Sequence, residues 1–174
     1  MKKILILLSI LFSAIVLQSC LKSDVEDYED WRTRNDEYLN KIDLREYEKV
    51  SVNWAPYHSV YMKWHNDRTL TQDSLKPLST STVSVKYELY DIDSVLYQTS
   101  YKSNGDSLYT SVVNNNCVGF QIALTNMHVG DSVTMILPYN TGYGNTSYGS
   151  VKPYTNLIYN VKFVSIPALE KPYE

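Results

Sequence analysis

Acid–base, nucleophilic and metal chemistry each need a few side chains at close quarters, and this sequence offers few candidates. Its three histidines, His58, His65 and His128, share no metal-ligand spacing. His65 in KWHND and His128 in NMHVGD lie beside turn residues, which predicts exposed loop positions. Asp91 and Asp93 in YDIDS have a spacing that could hold a cation, but a hairpin end with two solvated carboxylates is the simpler expectation. Cys117, in NNNCVGFQIAL, has no partner at redox or zinc spacing and is expected as a small buried apolar residue. No glycine-rich phosphate loop, G-x-S-x-G elbow or H-E-x-x-H motif occurs. The pattern calls for neither a metal nor a cofactor.

Rings are what the chain does have. It carries 16 tyrosines against 3 phenylalanines, a balance suited to half-buried strands and to pocket walls that touch water. Tyr143 stands between Gly142 and Gly144 in LPYNTGYGNTSYG, just past the apolar run Val133 to Leu137; the stretch reads as a tight turn with an exposed aromatic, or as a ring at the mouth of whatever that strand leads out of. One reaction suits a site of rings without an ionisable group: rotation about an X-Pro bond. Its barrier is about 20 kcal/mol because amide resonance is lost at the twisted geometry. An aromatic cup strips the water that stabilises the planar amide, and a backbone N–H fixes its carbonyl.

The elements that must position these rings follow from periodicity. MKKILILLSILFSAIVLQSC sets two lysines before an apolar run from Ile4 to Leu17, too short for a typical spanning helix. LQSC resembles a bacterial lipobox, which implies a signal peptide over 1–19 and a lipid on Cys20; an ordinary secretory signal with an incidental cysteine is the alternative. The following SDVEDYED resembles surface-export signals of some Gram-negative lipoproteins, and reads equally as a solvated linker. From Asp24 to about Val50 the chain is charged, with Tyr28, Trp31, Tyr38, Leu39 and Ile42 near helical spacing. Residues 20–52 are thus expected as an acidic linker and tether helix that docks on the domain or spaces it from its anchor. Beyond them, SVYMKW, STVSVKYELYD, DSVTMILP and NLIYNVKFVSI show the alternation of strands with one buried face. VGFQIALTNM is the short helical segment, with Phe120, Ala123, Leu124 and Met127 on one side. The plan is α+β, antiparallel strands around one short helix, with a tail over 167–174. The net charge of −3 and the lack of a basic stripe exclude nucleic acid as an expected partner.

From roughly Tyr61 to Ile166 the chain resembles the FKBP-type peptidyl-prolyl isomerases. VSVKYELYDIDSVLYQTSY is similar to that family's valine-rich strand, tyrosine, acidic hairpin and aromatic-Asp-Ser-Ser run. CVGFQIALTNMHVGDSVTMILPYNTGYG resembles its sequence of apolar residue, Gly-Trp, short helix, VG turn, strand, Pro and Ala-Tyr-Gly. The resemblance implies an FKBP-like antiparallel half-barrel over 53–166, wrapped around the helix, after an N-terminal helix. It implies a substrate pocket built from Tyr87, Tyr97, Gln98, Cys117, Phe120, Tyr143 and Tyr159. Phe120 stands in place of the family's floor tryptophan, Tyr143 in place of its rim tyrosine, and Cys117 where a backbone N–H meets the substrate. Gln98 replaces a pocket aspartate, Tyr97 and Tyr159 replace phenylalanines, and Asn116 replaces an apolar wall residue. The implied activity is prolyl isomerisation, with chaperone-like binding of proline-containing segments of envelope or secreted proteins. A catalytically inactive binding or structural lipoprotein is the second expectation. The expected location is the cell envelope of a Gram-negative bacterium, lipid-anchored in the outer membrane on its periplasmic or surface face.

Overall fold

The computed structural model describes residues 23–101, 105 and 107–168. The leader, Cys20 and the end of the tail lie outside the described residues. Helix α1 (Ser23–Asn40) is followed by β1 (Glu48–Val52), β2 (Ala55–Trp64), β3 (Thr82–Tyr90), β4 (Leu96–Thr99) and β5 (Tyr109–Val112). Helix α2 (Val118–Leu124), β6 (Ser132–Leu137) and β7 (Leu157–Ala168) complete the chain. The strands form one antiparallel sheet in the order β1-β2-β6-β7-β3-β4, with β5 also paired to β3.

The alternation seen in the sequence is the alternation of the sheet. Val83, Val85 and Leu89 of β3 face the core, as do Leu157, Tyr159, Val161 and Phe163 of β7. Helix α2 lies against this face, and Phe120, Ile122, Ala123, Leu124 and Met127 are buried with it. Seven residues of helix could not persist alone in water, so tertiary packing must hold them. The packing is tight enough to dictate a glycine. A Cβ on Gly119 would come within 2.6 Å of Thr141 Oγ1 and 2.8 Å of Leu137, both buried.

Two expected boundaries are corrected. The first helix ends at Asn40, well short of Val50, and Glu48–Val52 is an edge strand of the sheet. β1 escapes the alternation signal because only Val50 of its five residues is buried. The sheet therefore begins at Glu48 and runs to Ala168, taking in residues on both sides of the 53–166 span. Helix α1 docks on the domain: Trp31 and Asn35 are buried, and Trp31 Nε1 donates to Thr155 Oγ1 at 3.0 Å.

Gly119→Ala tests the tight seat of α2. Overpacking at a site that cannot relax costs about 1–3 kcal/mol, more than the helix propensity it gains. The urea midpoint should fall by a corresponding amount; an unchanged midpoint would show that Leu137 and Thr141 yield freely.

Candidate functional site

The sheet and α2 leave a cavity of about 500 Å³. Phe120, in the first turn of α2, and Tyr159 of β7 are nearly buried and form its floor, ring centroids 5.0 Å apart. Tyr87 of β3 packs at 5.7 Å on Tyr159 and at 5.4 Å, edge-on, against Tyr109 of β5. The loop from 138 to 156, joining β6 to β7, brings Tyr143 and Tyr148 to the rim, stacked at 4.3 Å. Tyr148 is 56% exposed, so the stack stands at the solvent edge.

Gln98, Asn115, Asn116 and Cys117 complete the lining. The Asn116 side chain is spent internally: Tyr109 Oη donates to its Oδ1 at 3.1 Å, and its Nδ2 donates to the Val112 carbonyl at 2.9 Å. Cys117 caps α2 and is half-buried rather than lost in the core. Burial pushes its thiol up, against the N–H groups of Phe120 and Gly119, so it is no thiolate at neutral pH. Among the described residues no backbone carbonyl accepts from the Cys117 N–H, which lies against its own thiol. No lining side chain is charged, and Phe120 alone lacks a polar atom or thiol. The cavity can hold a neutral segment by ring contact and hydrogen bonding. It holds no histidine, carboxylate or amine for acid–base work.

A family model described as FKBP-type peptidyl-prolyl cis-trans isomerase matches residues 74–164. The chain belongs to that family. No curated protein matches its sequence. Among solved structures, a peptidyl-prolyl isomerase from Pseudomonas syringae is similar with a TM-score of 0.61 at 16% identity, over 83% of this chain and 96% of that one. FkpA from Escherichia coli gives 0.67 at 19% identity, over 88% of this chain and 67% of the other. The three-domain structure of wheat FKBP73 gives 0.57 at 18%, over 68% of this chain and 50% of that one. At such identities the likeness establishes the FKBP-like fold.

Within this FKBP-like fold, Tyr87, Gln98, Cys117, Phe120, Tyr143 and Tyr159 come together around the cavity. Tyr97 does not line it. Leu89 pairs with Gln98 and Tyr90 with Leu96, so Tyr97 is the extra residue of a bulge, and Gln98 shares the face of Tyr87 and Leu89. The Tyr97 hydroxyl donates instead to Asp91 at 3.1 Å, and burial followed by that carboxylate pushes its pKa up to about 12. Asp91 is a buried turn residue whose Oδ1 also accepts from the Asp93 and Val95 N–H groups, so it is no solvated carboxylate. His65 is exposed as expected; His128 is partly covered and lies 3.9 Å from Asp131. Tyr109, Tyr148 and Asn115 are lining residues that sequence reasoning missed. Tyr109 pairs with Val85, two residues from Tyr87, so the YTSV run before the helix was the available signal.

Burial holds the Tyr159 phenol well above its ordinary pKa, and raises Tyr143 too, with the Tyr159 hydroxyl pulling the other way. A phenol whose folded pKa is raised keeps its proton better when folded. The stability it contributes is full below about 10 and fades as pH rises beyond it. Thermal midpoints should drop above about pH 10, and drop less in Tyr159→Phe than in the wild type. Parallel curves for the two would remove Tyr159 from that role.

Proposed function

We propose that this chain is a peptidyl-prolyl cis-trans isomerase acting on extended proline-containing segments of envelope or secreted proteins. We propose further that a lipid on Cys20, just ahead of α1, holds it to the outer membrane on the periplasmic or surface face, with no metal or cofactor. The observation that carries the reading is the uncharged ring cavity between β3, β7 and α2. A pyrrolidine resting on Phe120 and Tyr159 takes its X-Pro amide out of water, which lowers the penalty for breaking resonance. The N–H of Cys117, which no backbone carbonyl takes among the described residues, and the rim hydroxyl of Tyr143 are the donors for the carbonyl as it rotates. Chaperone-like holding of unfolded segments would use the same rim.

The hydroxyls set a limit. Tyr87, Tyr109, Tyr143, Tyr148 and Tyr159 all bring a polar atom to the cavity, and Gln98 adds an amide. A wetter cup desolvates the amide less completely, so turnover is slow. That feature also favours a second reading, an FKBP-like module that binds such segments without turning them over.

A protease-coupled assay with a proline tetrapeptide separates the two. Isomerisation above background is expected, with Tyr143→Ala lowering kcat/KM about tenfold, or ~1.4 kcal/mol. The rate should stay nearly flat from about pH 6 to 8, since the lining holds no histidine or carboxylate. Peptide binding without turnover would establish the module; a bell-shaped profile near neutrality would contradict a site without acid or base.

A further inference from the structure

The family match covers 74–164, so helix α1 lies outside it. The helix is nevertheless joined to two walls of the cavity. Asn156, at the end of the rim loop, is fully buried and clamps three segments at once. Its N–H donates to Asn35 Oδ1 at 2.8 Å and its Nδ2 to the Asn35 carbonyl at 2.7 Å, both on α1. Its own Oδ1 accepts from the Tyr139 N–H at 2.9 Å, at the start of the loop. One turn away, Arg32 lies 5.1 Å over the ring of Tyr154. Tyr154 sits at φ +60, a left-handed conformation that a bulky residue adopts only under constraint. Its N–H ties back to the Gly144 carbonyl at 2.9 Å, beside Tyr143. On the other side, Arg34 is ion-paired with Asp93, in the β3–β4 hairpin that carries Gln98.

We propose that α1 is a brace linking the rim loop to the β3–β4 hairpin, with Asn35, Arg32 and Arg34 as positioning residues that hold both for a client segment. The role in client binding rests on the isomerase reading above; the brace itself does not. A tether would need no buried asparagine. Two asparagines bonded through side chain and backbone fix the helix in one register, since a buried amide left unpaired costs about 1–3 kcal/mol.

Two measurements on the full chain decide it. Hydrogen exchange reads the brace alone. In Asn35→Ala, the rim amides of Tyr139, Tyr148, Val151 and Tyr154 should exchange about tenfold faster, as expected for losing one or two net hydrogen bonds, while β6–β7 amides keep their protection. Arg32→Ala, on the helix surface, supplies the same comparison should Asn35→Ala not fold. Unchanged rim exchange, or a uniform increase across the sheet, overturns the brace. Proline-peptide kinetics read the coupling: KM should rise several-fold in either variant with kcat within about twofold, the pattern of lost ground-state positioning. A faster-exchanging rim with unaltered KM would overturn the client role. A wild-type chain inert toward the peptide would sink the isomerase reading and leave the brace to the exchange data.

Discussion

The rest of the structure depends on α2 sitting close inside the concave face of the sheet. A short helix brings little stability of its own, so its position is a packing result. Gly119 permits the approach that places Phe120 over Tyr159, because a methyl group there would strike Leu137 and Thr141. Thr141 and Leu137 flank the start of the rim loop, so one contact sets both the floor and the base of the mouth. Move α2 outward by a side-chain radius and the cavity loses its floor.

Rings give this cavity shape, and hydroxyls give it water. Phenylalanines in the place of Tyr97 and Tyr159 would make a drier family pocket, but the two tyrosines have different fates. Tyr97 gives its hydroxyl to Asp91 and stays out of the cavity lining, while Tyr159 is floor beside Tyr143. Tyr87 reaches Gln98 at 3.4 Å, a long contact that leaves the Gln98 amide free to meet a ligand or water. The result is a neutral, hydrogen-bonding cup, in which the prolyl amide of the proposed function would meet desolvation and hydrogen bonding in competition.

How far the sequence revealed this varies with the physics of each element. β2, β3, β6, β7 and α2 were legible because each buries one face and hides the other residues' polarity from the core. β1, β4 and β5 were not, since short strands with at most one fully buried side chain leave no alternation. The end of α1 was blurred because EKVSV continues the charged texture of the helix. At the site, Phe120 and Tyr143 were reached through resemblance, and spacing alone would have left them as core and turn. Tyr97 packs against the core with its hydroxyl on Asp91 instead of lining the cavity, a pairing that leaves no mark in composition. Tyr148 was missed because an exposed ring in a loop looks like any other surface tyrosine until its stacking partner is known.

The helix ahead of the family domain changes how the whole chain is understood. Its buried face is spent on Thr155 and Asn156, so of the two roles expected for the segment, docking on the domain or spacing it, the structure shows the first. The claim beneath all of this is that separate strands bring their rings to one hollow that receives a prolyl residue. Titrating a short Ala-Leu-Pro-Phe peptide into isotope-labelled protein, followed by aromatic NMR signals, tests that claim directly. Tyr87, Phe120, Tyr143 and Tyr159 should shift together and saturate along one curve. Silent rings, or shifts confined to residues away from the cavity, would contradict it.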